Sequence, residues 1–215
     1  MRAVLFDLDG TVTDPGIGIT NSVAYALKKF GIEPPERKAL YCFIGPPLRE
    51  SFSKYFGLSA SDAEKAVEYY REYYRPTGIF ECTLYDGITE TFSALVNAGF
   101  TVALATAKPE VFAEKIAVHF GFDRYLTCIS GAALDGSRDD KAEIISIALR
   151  RLKIKDPSAS VMVGDRAYDI DGGKKNGLYT IGALYGYGTK DELSHADALA
   201  DTAYDIAKII LKKTG

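Results

Sequence analysis

The stretch that constrains this chain most is Ala3-Val4-Leu5-Phe6, four apolar residues in a row followed at once by Asp7, Leu8 and Asp9. A strand with one wet face alternates apolar and polar residues. This run does not, so both of its faces must be covered. Strands covered on both faces belong to parallel sheets flanked by helices, and such sheets gather their polar groups at the C-terminal ends of the strands. Asp7 would stand at that end, Asp9 where the chain leaves the sheet, and Gly10 allows the turn. Two carboxylates at this spacing repel one another unless a cation or a shared proton lies between them.

The rest of the chain divides into two patterns. Residues 15–80 read as helices only. Ile19, Val23, Ala26, Leu27 and Phe30 fall at helical spacing, a short helix follows Pro34-Pro35, and another runs over Leu48 to Phe56. A capping box at Ser61-Asp62-Ala63-Glu64 then opens a helix that ends near Arg75. Asp14-Pro15-Gly16-Ile17-Gly18 reads as a flexible connection and as one of two hinges, the other lying near Ile79 to Tyr85. From Leu84 onward strands and helices alternate. Strands are expected at Phe100–Ala105, Tyr125–Ser130, Ser160–Gly164 and Leu178–Leu184. Helices are expected after Asp86, from Pro109, over Lys141–Leu152, up to Asn176-Gly177 and over Thr202–Lys212, with a second capping box at Thr189-Lys190-Asp191-Glu192. The expected architecture is α/β: a doubly wound, Rossmann-like parallel sheet forming a core from residues 1–14 and 81–215, with an all-helical cap inserted over 15–80.

Composition excludes several classes. A net charge of −3 leaves no footprint for nucleic acid or an anionic membrane surface. No apolar run has membrane-spanning length, and the first residues lack a signal-peptide pattern. Cys42, Cys82 and Cys128 match no metal motif or disulfide set, so reduced thiols and a cytoplasmic location are expected. His119 and His195 read as helix-surface residues.

If each buried strand delivers its last residue to one edge of the sheet, Asp7, Asp9, Thr106 and Asp165 meet there. Lys141, at the start of a helix, reaches the same edge. A carboxylate pair, a hydroxyl, a cation and a further carboxylate form an inventory suited to a phosphoryl group and a hard divalent cation such as Mg²⁺. Asp169, four residues after Asp165, falls on the same helix face.

These motifs resemble the haloacid dehalogenase superfamily. Asp7-Leu8-Asp9-Gly10-Thr11 matches its first motif, Thr106 the second, Lys141 the third and Gly164-Asp165-Arg166-Ala167-Tyr168-Asp169 the fourth, in the family's order. The helical insert sits where the family's phosphatases carry a cap. Phe43-Ile44-Gly45-Pro46-Pro47-Leu48-Arg49-Glu50-Ser51-Phe52 and Leu184-Tyr185-Gly186-Tyr187-Gly188 are similar to the branch of phosphoglycolate phosphatases and 5′-nucleotidases.

The resemblance implies a Mg²⁺-dependent phosphomonoester hydrolase acting on a small soluble metabolite. Asp7 would be the nucleophile that forms an aspartyl-phosphate, and Asp9 the general acid and base. Lys141 would neutralise charge; Thr106 and the Ala107 N–H would hold phosphate oxygens. Asp7, the Asp9 carbonyl, Asp165 and, through water, Asp169 would hold the metal. Arg49 is the candidate for a second anionic group. Asp171 suits a helix N-terminus, Arg166 a structural ion pair and Lys108 a solvated position. Tyr69, Tyr70, Tyr73 and Tyr74 suit a cap core. A phosphomutase shares every core residue, and a receiver module or noncatalytic phosphate-binding protein shares some of them.

Overall fold

The structure, a computed structural model, describes residues 2–214. In chain order its elements are β1 (Ala3–Phe6), β2 (Thr13–Asp14), α1 (Gly16–Lys29), a 3-10 segment (Arg37–Phe43), α2 (Leu48–Phe56), α3 (Ala60–Tyr74), a second 3-10 turn (Gly78–Phe80) and β3 (Thr83–Leu84). Then come α4 (Ile88–Asn97), β4 (Thr101–Pro109), α5 (Glu110–Phe120), β5 (Leu126–Ala132), α6 (Lys141–Arg151), β6 (Val161–Gly164), α7 (Ala167–Lys175), β7 (Tyr179–Ala183), β8 (Ala198–Ala200) and α8 (Ala203–Thr214). They form two compact units: residues up to Thr13 together with those from Leu84 onward, and Asp14–Thr83. Among the described residues no helix is long and apolar enough to cross a membrane.

The larger unit holds a wholly parallel six-stranded sheet, in the order β5-β4-β1-β6-β7-β8. The chain winds outward from β1 through β4 to β5, then returns to the other side of β1 for β6, β7 and β8. That reversal opens a crevice at the C-terminal end of β1, and Asp7 is the residue placed there. β1 is buried along its length, and its residues alternate between two covered faces. Ala3 and Leu5 join Ile144, Ile145, Ala148 and Leu149 of α6, with Ala103, Ala105 and Met162, in one apolar cluster. On the other face Phe6 meets Phe92 of α4 edge-on, ring centres 4.9 Å apart.

Several local expectations are corrected. β4 does not stop at Ala105 but runs on to Pro109, which caps α5 rather than opening it. α4 starts after Gly87, whose backbone is left-handed (φ 86°), with no side-chain cap from Asp86. The box at Thr189 makes its local bond, Glu192 N–H to the Thr189 hydroxyl, but a turn follows instead of a helix. His195 lies in that turn, paired with Asp171 at 3.0 Å. β8, only three residues long at the sheet edge, was not expected.

In the helical unit the residues after Pro34-Pro35 form the 3-10 segment instead of an α-helix. α3 is capped by Ser59, which accepts from the Asp62 N–H, two residues before the expected cap. Gly16 and Gly18 belong to α1 and are buried, so this stretch is not a flexible connection. Gly18 is there for closeness: a Cβ would collide with the Gly78 carbonyl, and the Gly18 N–H donates to the Glu81 carbonyl at 2.9 Å. Tyr70 and Tyr74 are buried and stacked, and Tyr73 donates its hydroxyl to Glu81.

Candidate active site

At the C-terminal edge of the parallel sheet β1 ends just before Asp7 and β6 just before Asp165, and α6 and α7 begin there. Lys141 is the first residue of α6. Asp140 caps the helix by accepting the Glu143 N–H at 2.8 Å, which directs the next residue inward. The Lys141 ammonium donates to Asp7 Oδ1 at 2.7 Å and to the Ala105 carbonyl at 3.1 Å, and it forms an ion pair with Asp169 Oδ1 at 2.8 Å. Asp169, on the first turn of α7, also accepts the Arg166 N–H at 3.0 Å through Oδ2. Asp165 stands before the helix rather than on it. It accepts the Tyr187 N–H at 2.8 Å and the Thr11 hydroxyl at 3.4 Å.

Asp165 is walled by backbone. A Cβ on Gly10, Gly186 or Gly188 would collide with it, and Gly10 also needs its φ of 88° for the turn after Asp9. Tyr185 pins this wall by donating its hydroxyl to the Thr11 carbonyl at 2.9 Å. The Gly186 and Gly188 positions thus acquire a steric reason that the family likeness alone did not supply.

Asp7, Asp165 and Asp169 each offer an oxygen within 4.8 Å of the others, and all three are buried. Burial, and then the charges of Asp169 and Asp7, hold the Asp165 carboxyl well above its ordinary range. Burial also pushes Asp169 up to about 6, against the pull of Lys141. Burial lowers the Lys141 ammonium, but Asp169 and Asp7 outweigh it and hold it above its usual value, so the ion pairs stay intact. Asp7 and Asp169 share one ammonium, and Asp165 is buried beside them. Oxygen-only donors in a tight cradle fit a hard divalent cation, so the arrangement is chemically suited to Mg²⁺.

This has a consequence for stability. A carboxyl whose folded pKa is raised contributes stability that is fully present below its unfolded value and lost as pH rises through the folded one. Metal-free protein should therefore lose stability upward from about pH 4, through the region near 6 where Asp169 titrates. Asp165→Asn can keep both hydrogen bonds by accepting from Tyr187 and donating to Thr11. It should melt higher than wild type without metal at pH 7, and gain less from added Mg²⁺. Thermal unfolding with and without Mg²⁺ checks both signs.

Asp9 has a partner that sequence reasoning missed. Lys108 was expected to be solvated; instead its side chain is 4% exposed and its ammonium is bonded to Asp9 Oδ2 at 2.5 Å. The cause is a register shift. Thr106 pairs with Gly131 of β5 and Pro109 with Ala132, leaving Ala107 and Lys108 as extra residues on β4. The bulge turns Lys108 inward, and Gly131 accommodates it because a Cβ there would meet the Lys108 carbonyl at 2.7 Å. The available signal was Pro109, since proline within an inner strand marks a bulge. Thr106 is buried and accepts the Lys108 N–H at 3.2 Å; Ala107 is half-buried beside it. Burial raises the Asp9 carboxyl, with Lys108 opposing it.

The two remaining arginines are held by glutamates. Arg166 pairs with Glu192 at 2.9 Å. Arg49, on α2 in the helical unit, donates to Glu64 of α3 at 2.8 Å.

The model of the haloacid dehalogenase-like hydrolase family matches residues 4–183. The chain belongs to the haloacid dehalogenase-like hydrolases. Relatives named 5′-nucleotidase and phosphoglycolate phosphatase support a phosphatase. A 5′-nucleotidase of Pseudomonas aeruginosa is 47% identical over 88% of this chain and 86% of its own length. A protein named tyrosine-protein kinase PtkA from Mycobacterium tuberculosis is 40% identical over 88% of this chain, which spans 64% of that protein. Among solved structures, a predicted phosphatase from Clostridium acetobutylicum superposes with a TM-score of 0.93 at 41% identity, covering 98% of both chains.

Proposed function

We propose that this haloacid dehalogenase-like hydrolase is a Mg²⁺-dependent phosphomonoester hydrolase of the cytoplasm. It would act on a small soluble metabolite, a nucleoside monophosphate or phosphoglycolate, through an aspartyl-phosphate. The observation that carries the reading is Lys141 joining Asp7 to Asp169 with Asp165 alongside. A phosphoryl group entering this edge is an anion approaching an anion, and the ammonium is already in place to neutralise both. Asp7, Asp165 and Asp169, with the Asp9 carbonyl, would hold Mg²⁺, which supplies further charge neutralisation when bound.

Asp7 attacks phosphorus as the ester bond breaks. Asp9 gives its proton to the departing alkoxide, then takes one from the water that attacks the aspartyl-phosphate. Thr106 already accepts a backbone N–H, so its hydroxyl proton is what it offers a phosphate oxygen, with the Ala107 N–H beside it. Arg49 would recognise a second anionic group on the substrate, displacing Glu64 to do so. Support for a nucleoside monophosphate comes from the 5′-nucleotidase relative; support for the cytoplasm comes from three cysteines with no disulfide among them.

The test is a panel of phosphate esters with purified protein. Inorganic phosphate should appear only with Mg²⁺ and stop on adding a chelator. Isomerised sugar phosphate without inorganic phosphate would establish a mutase instead, and a stable phosphoprotein that does not turn over would establish a receiver.

A further inference from the structure

We propose that Lys108 is a positioning residue that holds Asp9 Oδ2 and so selects Oδ1 as the oxygen that carries the proton. The inference rests on the hydrolase reading above and adds a residue to it. Three observations meet here. The bulge between Thr106 and Pro109 exists against a glycine, Gly131, that lets the two chains close around it. It delivers a nearly fully buried ammonium onto one carboxylate oxygen of Asp9. The other oxygen, Oδ1, is buried and accepts no hydrogen bond from the described residues.

The chemistry follows from what an ammonium can do. It has three donors and no acceptor, so the oxygen it touches must accept. Any proton on the Asp9 carboxyl therefore sits on Oδ1. Without Lys108 the group could turn about its last torsion and place the proton on either oxygen. With it, proton transfer starts from one atom. As the Asp7 oxygen bonds to phosphorus and the ester P–O bond breaks, the Oδ1 proton passes to the leaving oxygen. Oδ1 then takes a proton from the attacking water, whose oxygen bonds to phosphorus as the Asp7–phosphorus bond breaks. Lys108 itself gives up no proton in either step.

A residue acting through the general acid leaves a signature in the leaving group. A nitrophenolate departs without help, whereas an alkoxide needs a proton. The ratio kcat/KM reports the step in which the leaving group departs. We would compare 4-nitrophenyl phosphate with the alkyl phosphate that wild type turns over fastest. Lys108→Met should lose about a hundredfold in kcat/KM on the alkyl ester and no more than about a tenth of that factor on the aryl ester. Asp9→Asn should show the same split, and adding Lys108→Met to Asp9→Asn should not widen it. Lys108→Arg, which restores a cation with displaced donors, should show a smaller split.

The comparison is internal, so a partly unfolded sample loses the same factor on both esters. If the Met variant does not fold at all, the Arg variant decides by its own ratio. Equal losses on the two esters, or a double variant whose split is the product of the single ones, would overturn the role of Lys108. A wild type inactive on every ester would overturn the hydrolase reading instead.

Discussion

Asp7→Asn should abolish phosphate release, with a loss on the order of 10⁴-fold or more, as removal of a nucleophile does elsewhere. The substitution is nearly isosteric, and an amide oxygen can still accept from Lys141, which also keeps Asp169 and the Ala105 carbonyl. Cooperative unfolding should therefore persist. Asp7 is among the charges that raise Asp165 and Asp169, so its neutralisation also relieves the repulsion around them. Loss of activity with retained folding separates a chemical role from a structural one. The direct measurement is acid quenching with labelled substrate: wild type should retain acid-stable, hydroxylamine-labile phosphate, and the variant none. Undiminished turnover by Asp7→Asn would remove Asp7 from the chemistry.

Lys141→Met should damage both fold and activity. Methionine preserves the apolar stem that packs beside Gly172, so the change is in the charge and its hydrogen bonds. Removing one partner of a buried ionic cluster leaves the others uncompensated, which costs about 3–5 kcal/mol. Here the stranded groups are Asp7 and Asp169, 9% and 1% exposed at the side chain. The pH dependence has a definite sign. Without the ammonium the buried Asp169 carboxyl resists ionisation more strongly in the folded state, so the variant's stability is present at low pH and lost as pH rises. The gap between variant and wild type should widen from pH 4 to pH 7, as read by urea unfolding at each pH. Activity should fall by about a thousandfold or more even where the variant is fully folded, because the charge that offsets the phosphoryl group is gone.

The parts of this molecule legible in its sequence are those where one physical demand acts alone. Ala3–Phe6 and Val161–Gly164 are buried on both faces, so an unalternated apolar run is sufficient to mark them. The placing of Asp7, Asp165 and Lys141 at one edge was expected from two strand ends and a helix start, while Asp169 came from the fourth motif. Elsewhere two demands compete. Ser59 and Ser61 are both good caps, and only the packing of α3 decides for Ser59. Gly16 and Gly18 carry the mark of a flexible turn, but Gly18 serves close packing against Gly78. Ala198–Ala200 is too short for any period to show, and its pairing with β7 comes from the sheet already built. Lys108 was hidden because a bulge exchanges the inward and outward sides of a strand, and alternation counted from Thr101 therefore fails at the site itself.

The winding order of the sheet also sets a timetable. β1 is made well before β6, yet it is a middle strand, flanked by β4 and β6. The Ala3 N–H finds its partner in the Ser160 hydroxyl 157 residues later, and Asp7 meets Lys141 only after 134. At ordinary synthesis rates an apolar strand ending in two acids waits roughly ten to thirty seconds for its far neighbour. During that interval the nascent chain exposes a sticky segment and has no assembled chemistry. The cluster of Asp7, Lys141, Asp165 and Asp169 is complete only once β6 and the first turn of α7 have been made.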